Sequence, residues 1–199
     1  MDYAVMDYEV ARERRGIFAG EAVAGVRALL ANIGITNPTG SVGDTPARVV
    51  RALLEMTSGY EADIGALLSR TFAVQHSGLV VLRDIRFASL CEHHLLPFTG
   101  IAHVAYIPHH ERVVGVSKLA RVVDAFARRL QVQERMTDQI VDALVEHLDP
   151  LGAAVTVRAQ HQCMGCRGVR QPDAVMVTTA LRGVLEEDPA RAEALAQIR

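Results

Sequence analysis

The sequence has no apolar run approaching the roughly 20 residues that span a bilayer. Its first 20 residues interleave Asp2, Asp7 and Glu9 with Arg12, Arg14 and Arg15, so the apolar core of a signal peptide is missing too. Cysteine is scarce. Three is an odd number, which argues against a disulfide framework and turns attention to metal or thiol chemistry. Charge of either sign is not in excess: the net charge is −2, so neither nucleic acid nor a membrane surface is an expected partner. These absences point to a cytoplasmic protein. Lysine is almost missing, since Lys118 is the only one among 21 basic residues. A GC-rich genome spells basic residues as arginine, and a lysine kept against that bias is a mild hint of function.

Half of the 199 residues are hydrophobic, enough for one good core and too few for two full-sized domains. Internal repeats and low-complexity tracts are lacking. After an N-terminal arm at 1–17, residues 18–33 have the pattern of an amphipathic helix ending near Gly34. A Pro/Gly/Asn-rich loop follows. Thr45 is placed to cap a helix that opens on Pro46 and stops near Ser58 and Gly59. Residues 78–90 and 98–108 read as a hairpin. Ser117 is a candidate N-cap for a helix through Arg129, and a second helix lies within 131–148. Residues 153–163 alternate, which puts Val155, Val157, Ala159, His161 and Cys163 on one strand face. A last strand covers about 174–184, and Pro189 opens a short helix. This order predicts an α+β fold with an antiparallel sheet and packed helices: one domain over 18–199, helical to about residue 70 and sheet-based from 71.

Cys91-Glu92-His93-His94 sets a thiol and an imidazole three positions apart, and His161 and Cys163 follow some seventy residues later. Zinc favours such ligands in tetrahedral geometry. Cys91, His94 and Cys163 would leave a fourth position open for water, as in a catalytic site. Adding Cys166 would instead make a closed structural Cys3His site, and spacing alone does not choose between the two. A nucleobase-deaminase signature fails on motif order, because no proline precedes Cys163.

With CEHHLLPFTG (91–100), the segments GDTPARV (43–49), AYIP (105–108), GVSKLARVV (115–123), RRLQVQERMTDQI (128–140) and HQCMGCRGV (161–169) keep an order and spacing that resemble the GTP cyclohydrolase I family over roughly residues 20–199. The resemblance implies a tunnelling fold, in which small antiparallel sheets associate into a barrel. It also implies a homodecamer of two stacked pentamers, with GTP as substrate and active sites between subunits. It assigns zinc to Cys91, His94 and Cys163 and leaves Cys166 outside. The implied reaction is hydrolytic opening of the guanine imidazole ring, release of formate and formation of 7,8-dihydroneopterin triphosphate, which feeds folate, another pterin or a deazaguanine.

That chemistry needs water to attack C8, and zinc lowers the pKa of bound water from about 15.7 to about 7. It also needs a proton at N7, for which the resemblance supports His161 and His93. Ser117 resembles the serine placed near the sugar. Glu134, with Gln133 beside it, matches the guanine reader: a carboxylate accepts from both N1–H and the 2-amino group, which adenine cannot offer. Lys118, Arg121, Arg48 and Arg167 match triphosphate-binding positions, and Lys118 and Arg121 stand three apart on one helix. Outside this resemblance, each of these residues would read as an ordinary cap, helix-start glutamate or solvated cation. His76, His103, His109, His110 and His147 read as surface or packing residues. Ile101, Cys166, Ala174, Met176 and Arg182 depart from the usual pattern, none of them at a zinc, acid/base or guanine position.

Overall fold

The computed structural model describes residues 8–36 and 39–198, with side chains from Gly20 onward. Two compact units divide at Glu61 and Ala62. The first holds helices α1 (Tyr8–Asn32) and α2 (Thr45–Met56). Part of the arm expected at 1–17 lies outside the described residues, and from Tyr8 its backbone is already helical. Asn37 and Pro38 of the expected loop also lie outside. α2 begins one residue before the expected start: the Arg48 N–H bonds the Asp44 carbonyl, so Thr45 is inside the first turn and not its cap.

The second unit carries the short helix α3 (Ile64–Leu68) and strands β1 (Thr71–Ala73), β2 (Val80–Cys91), β3 (Pro97–Ile107) and β4 (Arg112–Val114). Then come α4 (Val116–Ala127), β5 (Leu130–Gln131), α5 (Gln133–Leu148), β6 (Gly152–His161), the single turn α6 (Gln162–Gly165), β7 (Val175–Gly183) and α7 (Ala190–Gln197). One sheet runs β5-β2-β3-β6-β7, antiparallel except where β5 joins β2 in parallel, and β1 pairs with β4 separately. This is the α+β arrangement expected from the sequence.

Period-2 and period-3.6 patterns meet in the core. Phe98, Ala102, Val104 and Tyr106 of β3 and Val155 and Val157 of β6 face the helices. Leu119, Val122, Val123 and Phe126 of α4 pack with them, as do Met136, Ile140 and Leu144 of α5. The opposite sheet face is covered in part: Ala105, Ala154 and Leu185 pack with Ala194 and Ile198. β3 and β6 approach closely at Gly100, where a Cβ would collide with the Arg158 carbonyl. β2 bulges between Leu82 and Ile85, with Asp84 at φ 59°. The Asp84 N–H freed from the ladder donates to Nδ1 of the buried His103 at 3.1 Å. Packing is therefore the role of His103.

Two expected ends shift. α4 starts after Gly115, whose carbonyl accepts the Lys118 N–H, so Ser117 lies inside the first turn and is not its cap. β6 stops at His161, and Cys163 sits on the α6 turn, not on a continued strand. Among the described residues no helix is long and apolar enough to cross a membrane.

Candidate active site and metal centre

Sheet register positions the first candidate ligand. β2 ends at Cys91, which pairs with Gln131 of β5, and the Glu92 N–H continues that pairing to the Gln131 carbonyl at 3.1 Å. The chain then reverses within five residues. The Cys91 carbonyl accepts the Leu95 N–H at 2.8 Å, the Cys91 N–H bonds the Leu96 carbonyl at 2.9 Å, and Leu95 takes a left-handed φ of 54°. This turn holds His93 and His94 beside Cys91: their Nδ1 atoms stand 3.6 and 4.0 Å from its sulfur. Glu92 is anchored by an ion pair to Arg135, whose guanidinium also binds Gln131 Oε1 and the Leu130 carbonyl. The start of α5 is thereby tied to the turn.

β6 brings the third candidate ligand alongside. Phe98 and His161 are register partners, and α6 turns the chain so that Cys163 comes back over the Cys91 turn. One donor atom each from Cys91, His94 and Cys163 lies within 4.8 Å of the others. Burial, and then the neighbouring Cys91, push the Cys163 thiol up. Two sulfurs and an imidazole nitrogen in this reach are a donor set that fits zinc. Cys166 stands apart: it is exposed, and its thiol donates to the Gln162 carbonyl at 2.9 Å.

His161 is the most constrained polar side chain of the site. One face stacks on Phe98. Its Nε2 is 2.8 Å from Gln133 Oε1. The buried Gln133 amide nitrogen is spent on the Val157 and Met176 carbonyls and on Thr178 Oγ1, so its oxygen must face the histidine. Thr137 donates to the Gln133 carbonyl at 2.8 Å and therefore accepts from Thr178, 2.6 Å away. Every hydroxyl in this ring has one direction, and an amide oxygen only accepts. His161 thus carries its proton on Nε2 and leaves Nδ1 free. Burial pushes its pKa down, opposed by the Glu134 carboxylate, which is exposed in the first turn of α5.

Other expected residues divide by place. Arg167 reaches the cluster, with Nη1 3.5 Å from His94 Nε2. Ser117, Lys118 and Arg121 stand on α4 and form no hydrogen bond or ion pair with the Cys91 turn among the described residues. Arg48 belongs to the first unit, where it pairs with Asp44 at 3.1 Å. Sequence reasoning did not find Phe98, Thr137 or Thr178. Phe98 carried one signal, its place one residue after Pro97 on the strand that must pair with His161; the threonines carried none.

A family model described as GTP cyclohydrolase I matches residues 22–199. The chain is 52% identical over 176 residues to GTP cyclohydrolase 1 of Mycobacterium ulcerans (strain Agy99), covering 87% of each. It is 50% identical over 175 residues to GTP cyclohydrolase 1 of Bacillus cytotoxicus (strain DSM 22905 / CIP 110041 / 391-98 / NVH 391-98), covering 87% of this chain and 93% of that one. Among solved structures it is similar to an archaeosine synthase QueF-like in the apo form, with TM-score 0.44 and 20% identity, over 53% of this chain and 93% of that one. With motifs, ligand cluster and relatives in agreement, the chain belongs to the GTP cyclohydrolase I family.

Proposed function

We propose that the protein hydrolyses the guanine imidazole ring of GTP, frees C8 as formate and forms 7,8-dihydroneopterin triphosphate, the opening step of pterin synthesis. The observation that carries this reading is the convergence of Cys91, His94 and Cys163 beside a histidine of fixed tautomer. Zinc held by these three residues supplies a Lewis acid that makes water nucleophilic near neutral pH.

The remaining roles belong to the chain itself. His161 offers a bare Nδ1 to the purine, taking the proton that the attacking water sheds and passing it to N7 as C8 is hydrated. His93, exposed on the same turn, serves the second hydration. Two waters enter, formate leaves, and closure of the six-membered ring returns one water. Glu134 accepts from guanine N1–H and the 2-amino group, and Gln133 holds His161 on the N7 side of the base. Lys118, Arg121, Arg48 and Arg167 bind the triphosphate, and Ser117 acts at the sugar.

Members of this family act as oligomers, and a homodecamer of two stacked pentamers would bring α4 of one chain to the Cys91 turn of another. Ten chains of 21.6 kDa total about 216 kDa. The cytoplasm suits Cys91 and Cys163, which need to stay reduced.

Incubation with GTP, oxidation and fluorescence detection of neopterin products tests the activity; no fluorescent product from zinc-loaded protein rejects it. Light scattering tests the assembly, and a fully active monomer excludes the shared site.

A further inference from the structure

A second cluster lies away from the Cys91 turn and takes no part in the reaction above. His109 and His110 lie in the middle of the β3–β4 connection, and Asp149 caps the C-terminus of α5. His109 Nδ1 is 3.5 Å and His110 Nε2 is 3.6 Å from the same oxygen, Asp149 Oδ2. One donor from each residue lies within 4.8 Å of the others.

These separations are long for N–H···O hydrogen bonds, which span about 2.7–3.2 Å. They suit donors sharing an ion. At metal–ligand lengths of about 2.0–2.2 Å, neighbouring ligands of a tetrahedral centre stand about 3.3–3.6 Å apart. The His110 and Asp149 side chains are exposed and can close the remaining gap by rotation.

The backbone is an independent observation. His110 and Glu111, in succession, and Asp149 all have left-handed φ, at 54°, 54° and 47°. Non-glycine residues held there are strained and gather at ligand clamps. Asp149 is also an anion at the negative end of a helix of 16 residues, where the dipole disfavours it and a cation would offset it.

We propose that His109, His110 and Asp149 form a second metal site, for a divalent first-row transition ion of the zinc class. Two imidazoles and one carboxylate supply three ligands, and solvent completes the shell. Binding there clamps the β3–β4 turn to the end of α5, leaving the cyclohydrolase chemistry to the Cys91 cluster.

Zinc titration of the full-length protein by calorimetry, followed by metal analysis after gel filtration, tests the site. Two equivalents per chain are expected in the parent and one in each of His110→Ala and Asp149→Asn, with GTP turnover unchanged in both. Asparagine tolerates a left-handed φ, so the second variant keeps the cap. In Cys91→Ser the second equivalent should persist, with only nitrogen and oxygen neighbours by X-ray absorption. One equivalent in the parent, or retention of the second in either site variant, overturns the proposal.

Discussion

The rings of Phe98 and His161 lie face to face, with centroids 4.6 Å apart and planes 4° from parallel. Phe98 is fully buried, so a rigid hydrocarbon plate backs the ring of the histidine proposed to meet the substrate. In Phe98→Leu the plate is lost and the site can repack. The aromatic pair itself contributes about 0.5–1.5 kcal/mol, and a stability loss at or above that size is expected from urea unfolding. GTP turnover should fall by about tenfold or more, with zinc content kept, because small misplacement of a catalytic group is costly.

Gln133→Leu removes the donor of three hydrogen bonds and the acceptor that fixes His161. Buried carbonyls left unpaired cost about 1–3 kcal/mol. A merely structural role for Gln133 predicts only that loss. A positioning role also predicts a mixed tautomer at His161, read from its 15N ring shifts, where the parent shows Nε2–H.

Glu134→Gln exchanges one acceptor for a donor with little change in size. Turnover of GTP should collapse, approaching the 10⁴-fold or so that separates matched from unmatched polar recognition. Assembly and zinc should persist, because Glu134 is exposed and holds neither. A normal rate would remove it from guanine recognition.

Cys166→Ser should keep zinc at the Cys91 cluster and most activity, while Cys91→Ser and Cys163→Ser should lose both. X-ray absorption at that centre should count two sulfurs; three would mean that Cys166 joins the metal.

Burial lowers the His103 pKa below 6.5, helped by Arg83 and Arg158 and opposed by Asp84. The unfolded chain therefore binds the proton first as pH falls. The His103 contribution to stability is complete above 6.5 and declines as pH drops towards the folded-state value, by at most about 1.4 kcal/mol per pH unit. His103→Asn offers Oδ1 to the Asp84 N–H without titrating. Urea unfolding at pH 7.5 and 5.5 should show a smaller pH difference in this variant than in the parent.

Sheet and helices were legible because period-2 and period-3.6 patterns stand clear in β3, β6 and α5. Ends were less so. Gly115 starts α4 without a side-chain cap, and Ser117 offered a better capping side chain at the wrong position. Strand alternation continues past His161 into a helical turn, since one turn of α6 also returns Cys163 to the cluster. Spacing made the Cys/His cluster legible but left Cys166 open, and the family resemblance set it aside. The Gln133–Thr178–Thr137 ring was not, because it joins residues 41 to 45 positions apart by hydrogen bonds that leave no periodic trace.

In the proposed reaction, that ring makes His161 a one-handed acid and base. An imidazole open at both nitrogens can pass a proton through, taking it at one atom and releasing it from the other. Here the Nε2 hydrogen ends on an amide oxygen that has no use for it, so nothing is relayed onward. Whatever proton Nδ1 takes, Nδ1 must give back. In that reaction the substrate brings its successive proton demands to this one atom.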